Sequence, residues 1–223
     1  MRALATEPCF DEYMFIEQDR RKVELLRSHC ERYSHLPVDV RHGDCNEILL
    51  KTVFPRIRQD RRLRAVLLMD PYGLQYDWSV VVEAGATKRV DLILNFPMMG
   101  AQRAAFWRRP DDLPASLRRR MRRAWGDDSW LRTVYEEVPN LLAKDPDFGP
   151  ELVKKPCREI AEVCRKRIRE KATFKYVAAP HHSRNGHGTV IFFLFLASQI
   201  RVAEKVMDYI VKTKGKQSWR SQP

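Results

Sequence analysis

Short apolar runs alternate with segments of helical periodicity through the first half of the chain. The runs predict strands, at residues 13–16, 37–41, 64–69 and 90–94. The intervening segments place apolar residues three or four positions apart and predict helices, over residues 20–33, 48–54 and 76–86. Strands that alternate with helices build βαβ units, so this pattern predicts an α/β fold with a mostly parallel sheet.

The second half of the chain departs from this alternation. Residues 100–150 contain several prolines and two arginine clusters with little strand pattern, so we expect a helical insertion there. A helix over 151–171 has one apolar face, formed by Cys157, Ile160, Ala161, Cys164 and Ile168.

The C-terminal part predicts an antiparallel hairpin followed by a helix. Two strands at 174–179 and 189–196 are joined by a loop that contains the turn signal Asn185-Gly186. The final helix has an apolar stripe, formed by Ala203, Val206, Met207, Ile210 and Val211. We expect one domain over residues 1–223, with the helical insertion at about 100–150.

The charge balance favours an anionic partner. The 41 Lys and Arg residues outnumber the 29 Asp and Glu residues, for a net charge of +12. Nucleic acid is the commonest partner of such a surface. Arg119 and Arg123 lie in the arginine clusters and would hold substrate phosphates. A solvated helix face would give the same pattern, and both interpretations stay open.

Other features predict a cytoplasmic protein without a membrane partner or a metal. The longest apolar run is too short to cross a bilayer, and the N-terminus lacks a signal-peptide pattern. The five cysteines have no CxxC spacing, as expected of reduced thiols. We expect no metal site at His181, His182 and His187, because their polar loop offers no carboxylate or cysteine.

Acidic residues follow the first two predicted strands, at the ends where parallel α/β sheets bind ligands. Glu17 has the position from which an acidic residue accepts hydrogen bonds from ribose hydroxyls. Asp44 would bind the amino group of an adenine, with the backbone N–H of Cys45 directed at the ring. Each carboxylate would otherwise be an ordinary surface or helix-capping group, and sequence alone leaves this open.

The next two strand ends carry groups suited to holding an amine. Asp70-Pro71-Tyr72-Gly73 offers a carboxylate and a carbonyl that accept hydrogen bonds, and an aromatic ring that stacks on a flat substrate. Asn95-Phe96-Pro97 offers a similar set of a polar side chain, an aromatic ring and a proline at the end of the following strand. Such residues also form turns, but two such ends on neighbouring strands favour a functional edge. We predict Asp70, Pro71 and Tyr72 as catalytic residues.

Several segments together resemble the three-Cys-motif partner proteins, a bacterial family with a class I methyltransferase-like fold. They are MFIEQD, RHGDCNEI, LLMDPYGLQYDW, DLILNFPMMG, FWRRP, WGDDSW and the hairpin strands FKYVAAP and IFFLFLAS. They run in order from about Tyr13 to Lys212, which is nearly the whole chain. The resemblance implies a Rossmann-like fold, S-adenosylmethionine as cofactor, and a radical-type partner protein with a three-cysteine motif.

The resemblance also implies roles for individual residues. Glu17 would hold the ribose, Asp44 the adenine, and Asp70 would lie beside the transferable methyl group. Tyr72 and the strand end Asn95-Phe96-Pro97 would face the substrate. Amino-directed methyltransferases usually have two prolines before the aromatic residue, whereas this chain has one, so the methyl acceptor stays open.

Members of that family begin with a helix, a first strand and a glycine-rich turn that this sequence lacks before Tyr13. That strand lies between the second and fourth strands of the sheet, and the turn approaches the cofactor. We therefore expect a sheet without its first strand and glycine-rich loop, and Met1 as an internal methionine of a longer chain. Two function classes remain: a methyltransferase, and a non-catalytic methyltransferase-like subunit that binds a partner protein or nucleic acid.

Overall fold

The computed structural model describes residues 2–139 and 151–201, together with residues 205, 206, 208 and 209. The chain divides into two compact units, Met1–Gln59 and Asp60–Pro223. The prediction of a single domain is not tested by this division and stays a prediction. Most of the expected C-terminal stripe (Ala203, Met207, Ile210 and Val211) lies outside the described residues.

The first unit contains one parallel strand pair and the helix that connects it. Strand β1 (Tyr13–Glu17) pairs with β2 (Val38–His42), and Glu17 lies opposite His42 at the carboxyl ends. Helix α1 (Arg20–Cys30) joins them. It begins after Asp19 because that carboxylate accepts hydrogen bonds from the N–H groups of the first turn, as an N-cap does.

After β2 the chain is helical without a break from Cys45 to Gln59. It passes through α2 (Cys45–Ile48), a π-helical stretch (Leu49–Val53) and α3 (Phe54–Gln59). The prediction that this helix ends at Pro55 is wrong. Pro55 is the second residue of α3, one turn or less after the π-helical stretch, whose wider turn tolerates a residue without a backbone N–H.

The second unit is built on a five-stranded mixed sheet in the order β3-β4-β9-β7, with β8 also paired to β9. Its strands are β3 (Ala65–Met69), β4 (Val90–Phe96), β7 (Tyr176–Val177), β8 (His181–Arg184) and β9 (Val190–Ser198). Strand β3 runs parallel to β4, and β9 runs antiparallel to β4, β7 and β8. The α/β class and the C-terminal antiparallel hairpin are therefore confirmed.

Helices cover the sheet of the second unit. They are α4 (Trp78–Ala86), α5 (Met98–Ala104), α6 (Ala115–Trp125), α7 (Trp130–Val134) and α8 (Cys157–Glu170). Helix α4 packs on β4 and helix α8 on β9. A Cβ at Gly85 would lie 1.7 Å from the carbonyl oxygen of Ala172, so α4 can approach this segment only with glycine there. No helix among the described residues is long and apolar enough to span a bilayer.

The predicted insertion is helical in its first two thirds, where α5, α6 and α7 lie. A short antiparallel pair follows, formed by β5 (Tyr135–Val138) and β6 (Glu151–Lys154), which the sequence analysis did not predict. Four-residue strands with exposed charges, such as Glu136 and Glu137, carry too little apolar alternation to be recognised. Helix α8 consequently starts at Cys157 rather than at residue 151.

Arg167 on α8 ties the segment Trp125–Trp130 to the rest of the second unit. Its guanidinium carbon lies 5.0 Å from the ring centroid of Trp78 and 5.6 Å from that of Trp125, which is cation–π geometry. Its Nε donates to the carbonyl of Trp125 at 2.8 Å, and its Nη2 donates to Asp127 Oδ2 at 2.6 Å. The WGDDSW segment is therefore held by a charged side chain from a distant helix.

These contacts also shift the titration of Asp127. Burial alone would raise the pKa of this carboxyl, but hydrogen bonds from Ser129 and Arg167 outweigh burial and lower the pKa from 3.8 to about 2. The folded protein therefore binds this proton less readily than the unfolded chain does. The stabilisation is complete above pH 3.8 and is lost as the pH falls towards 2.

We expect Asp127→Asn to reduce stability at neutral pH and to lose that difference in acid. Urea denaturation of both proteins between pH 7 and pH 2 measures the free energies of unfolding. The difference should be constant above about pH 5 and shrink below pH 4. Asp128→Asn is the control, because the nearest cation, Arg122 Nε, is 3.6 Å from Asp128 Oδ2. A difference for Asp127→Asn that does not depend on pH would contradict the assignment.

Strand β3 ends the sheet of the second unit and is apolar throughout. Among the described residues it pairs only with β4, so its other edge has no strand partner there. Val66 is 48% exposed and Leu68 is 64% exposed, although the sequence Ala65–Met69 is typical of a buried parallel strand. Edge strands are usually short or carry charged residues, since an open apolar edge promotes association.

We expect Leu68→Lys to reduce concentration-dependent self-association without loss of stability, because the side chain is mostly exposed and a charge discourages edge pairing. Light scattering across a concentration series and thermal denaturation measure the two effects. The matched control is Leu92→Ala on the neighbouring strand, where a side chain with 0% exposure is truncated and stability should fall by about 2–5 kcal/mol. If Leu68→Lys destabilises the fold as Leu92→Ala does, β3 is not an open edge.

Candidate functional site

The parallel pairing of β3 with β4 brings two predicted site residues together. Met69 lies opposite Leu94, so the next residues, Asp70 and Asn95, are neighbours at the carboxyl ends of the strands. Asn95 Nδ2 donates a hydrogen bond to Asp70 Oδ1 at 2.6 Å. The sequence placed these residues at adjacent strand ends, and the structure adds the direct contact.

This hydrogen bond fixes the orientation of the Asn95 amide. An ionised carboxylate can only accept hydrogen bonds, so the Asn95 nitrogen must face Asp70 and its oxygen must point elsewhere. That oxygen is buried and has no hydrogen-bond partner among the described residues. An unpaired buried acceptor costs about 1–3 kcal/mol.

Tyr72 extends from the loop that follows Asp70 and is 88% exposed. The preceding Pro71 is half-buried, and Gly73 adopts a positive φ of 63° at the turn after it. An aromatic ring that packs against so little of its own chain is available to stack on a flat ligand.

Phe96 belongs to the core and Pro97 to the start of helix α5, whereas Asn95 belongs to the strand-end pair with Asp70. Strand β4 alternates buried and half-buried residues, which puts Phe96 on the opposite face from Asn95 with only 1% of its side chain exposed. The prediction that Phe96 faces the substrate is therefore corrected, because the ring is part of the core. Pro97 is the N-cap residue of α5, and its carbonyl accepts the N–H of Ala101 at 2.8 Å.

In the first unit, Glu17 and Asp44 lie at the carboxyl ends of β1 and β2. The N–H of Gly43 donates to the carbonyl of Glu17 at 3.0 Å, which joins the two strand ends. Glu17 Oε1 accepts the N–H of Asp19 at 2.8 Å, and Asp44 Oδ1 accepts the N–H of Asn46 at 2.7 Å. The capping role that the sequence left open is thus present for Asp44, the N-cap of α2, whereas Glu17 holds the backbone of Asp19, which is itself the N-cap of α1.

Both carboxylates nevertheless keep one oxygen for a ligand. Glu17 Oε2 and Asp44 Oδ2 accept no hydrogen bond from the described residues. Cys45 is the first residue of α2, where backbone N–H groups point out of the helix end. The predicted cofactor residues therefore belong to two units: Glu17, Asp44 and Cys45 to the first, and Asp70 to the second.

A groove of about 610 Å³ lies between α4 and α6 of the second unit. Its lining consists of Asp77, Trp78, Ser79, Val82, Glu83, Arg119, Arg122, Arg123 and Gly126. Arg119 and Arg123, both predicted to bind substrate, line it together with Arg122, which the sequence analysis did not select. The spacing of 119, 122 and 123 along a helix was the available signal, since residues three and four apart share a face.

Two of these arginines already have acidic partners. Arg123 Nη2 lies 2.6 Å from Asp77 Oδ1, and Arg122 Nε lies 3.6 Å from Asp128 Oδ2. Arg119 forms no ion pair or hydrogen bond within the described part of the chain. Arg123 is thus less available to a ligand than the sequence suggested, and Arg119 is more so.

Two of the three histidines considered earlier are placed differently from the prediction, and His187 lies in the loop as expected. His181 and His182 belong to strand β8 rather than to the loop, which begins at Asn185. Burial, with Arg184, His181 and Arg158 nearby, lowers the pKa of His182 and favours its neutral form. No three His, Cys, Asp or Glu side chains among the described residues lie close enough to share a metal ion.

Comparison with known proteins gives no relative for this chain: no family model, curated protein or solved structure matches it. Its function must therefore be inferred from the strand-end residues and the groove themselves.

We expect Asn95→Asp to destabilise the protein by about 1–2 kcal/mol at pH 7, because a donor is replaced by a second carboxylate facing Asp70. The double variant Asp70→Asn with Asn95→Asp restores a donor–acceptor pair and should recover most of the loss. Urea denaturation of the two single variants and the double variant gives the coupling energy between the sites. Additive effects would show that the 2.6 Å hydrogen bond does not contribute to stability.

Proposed function

We propose that this chain is a methyltransferase-like domain that uses S-adenosylmethionine, related to the three-Cys-motif partner proteins. The observation that supports the proposal is the Asp70–Asn95 pair. It lies at the carboxyl ends of two adjacent parallel strands and has a buried acceptor oxygen with no partner among the described residues. This is the edge at which open α/β sheets bind their ligands.

The residues present fit such a cofactor in their chemistry. Glu17 would accept hydrogen bonds from the ribose hydroxyls through Oε2, and Asp44 would accept them from the adenine amino group through Oδ2. The backbone N–H of Cys45 would face the adenine ring. When bound, S-adenosylmethionine would supply the reactive methyl group.

The chain itself would act mainly by positioning the acceptor. The Asp70 carboxylate, held by Asn95 Nδ2, would accept a hydrogen bond from an N–H or O–H group of the substrate, which would orient its lone pair. Tyr72 would stack on a flat acceptor and limit its movement. Such orientation accounts for a large part of the rate in reactions between two bound partners.

A second candidate is a non-catalytic methyltransferase-like subunit. The exposed Val66 and Leu68 on the open edge of β3 favour association with a partner protein, for which the resemblance suggests a radical-type protein with a three-cysteine motif.

We expect S-adenosylhomocysteine to bind the chain and Glu17→Gln to weaken binding about tenfold or more, because a hydrogen bond to a charged group contributes about 1.5–3 kcal/mol. Isothermal titration calorimetry of the two proteins measures this. Glu24→Gln is the matched control, since Glu24 lies exposed on α1. A folded chain that does not bind S-adenosylhomocysteine would contradict the proposed function.

Asp70→Ala separates the two candidates. Loss of biological activity with folding and partner binding intact would exclude the non-catalytic subunit. If Asp70→Ala keeps full biological activity, and a variant without the α6 arginines loses it, the enzyme candidate is excluded.

A further inference from the structure

Helix α6 presents a one-sided array of positive charge. It carries five arginines and no acidic residue between Ala115 and Trp125. Its buried side consists of Met121, Ala124 and Trp125, which pack into the core. The side chains of Arg119, Arg120, Arg122 and Arg123 are exposed in consequence. Such a run without acidic residues on the same helix attracts anions over several ångströms.

The groove between α6 and α4 turns part of this array into a concave surface. Three arginines line it, together with two carboxylates, those of Asp77 and Glu83, so that one positive charge is in excess. Asp77 stands at the start of α4 without capping that helix through its side chain. Its carboxylate instead receives Arg123, with Arg123 Nε donating at 2.8 Å. In the groove, the guanidinium of Arg123 is therefore already paired with the carboxylate of Asp77.

We propose that the groove between α4 and α6 binds the phosphate backbone of single-stranded nucleic acid. Arg119 and Arg122 would make the principal contacts, because Arg119 has no partner within the described residues and Arg122 only a distant one. Guanidinium groups suit this task, since their donors match the oxygens of a phosphate in pairs. The inference deepens the proposed function by naming its substrate class, and it rests on that function for the role of Tyr72.

The position of Tyr72 favours nucleic acid over other polyanions. Tyr72 precedes Asp77 by five residues, a span of at most about 18 Å. A strand with its phosphates in the groove can therefore reach the exposed tyrosine ring with a base. Stacking of bases on aromatic rings beside a basic groove is the usual way of holding single strands. A base must also be unstacked to reach Asp70 and Asn95.

The test is binding of a fluorescein-labelled single-stranded oligonucleotide of about 20 nucleotides to the full chain, a length that exceeds the usual site size of such grooves. Fluorescence anisotropy over a series of salt concentrations gives the affinity and its salt dependence. We expect the double variant Arg119→Gln with Arg122→Gln to bind about tenfold more weakly. The slope of log affinity against log salt should fall by about one for each arginine that no longer binds a phosphate.

Two further variants sharpen this test. Arg120→Gln removes an exposed arginine of the same helix that does not line the groove and should change affinity less than twofold. Asp77→Asn removes the negative charge that is paired with Arg123. It should tighten oligonucleotide binding, the opposite of the effect of the arginine variants. Thermal denaturation establishes that every variant is folded. A loss of affinity for Arg120→Gln as large as that for the double variant, or no binding by the unmodified chain, would overturn the proposal.

Competition with polyglutamate and with vesicles of anionic lipid distinguishes the other polyanions. If either competes as well as the oligonucleotide at equal charge, the surface is a general anion binder and the proposal fails. S-Adenosylhomocysteine binding by the same variants keeps the two proposals apart. Cofactor binding without oligonucleotide binding would overturn only the groove assignment, and oligonucleotide binding without cofactor binding would overturn only the methyltransferase.

Discussion

The register between β3 and β4 is the constraint on which the strand-end site depends. Because Met69 pairs with Leu94, the two residues that follow, Asp70 and Asn95, meet at hydrogen-bonding distance. A slip of one residue would move every side chain of β3 to the other face of the sheet. Burial of Met69 opposes such a slip, because the other face of β3, which carries Val66 and Leu68, is exposed.

Arg167 has a comparable role for the groove. It stacks against Trp78 of α4 and Trp125 of α6, so that one guanidinium from α8 holds both walls of the groove. The charge of Arg167 is satisfied by Asp127 and by the carbonyl of Trp125. The segment WGDDSW, one of those that resemble the family, therefore has a structural role in binding Arg167. The exposed arginines of α6 remain as candidates for ligand binding.

The strand-end site and the groove are linked through the loop from Asp70 to Asp77. The loop begins with the carboxylate at the end of β3, presents Tyr72 to solvent, and ends with the carboxylate that holds Arg123. In the proposed complex, a base would contact Asp70 and Tyr72, and the phosphate backbone would bind Arg119 and Arg122, beyond the carboxylate of Asp77. Within the described part of this unit, the oxygen of Asn95 is a buried acceptor without a partner.

The sequence by itself determined the α/β class, the principal strands and helices of both units, and the placement of Asp70 and Asn95 at neighbouring strand ends. These follow from periodicity and from capping residues such as Asp19, whose contacts lie within three positions along the chain. Only the tertiary structure decided that Phe96 is buried, that Arg123 is paired and that Arg122 lines the groove. The reason is physical: these outcomes depend on contacts between residues far apart in sequence, such as Arg123 with Asp77, 46 positions away. A local pattern shows which residues share a face, as with Phe96 in its strand and Arg122 in its helix, but it does not show what that face contacts.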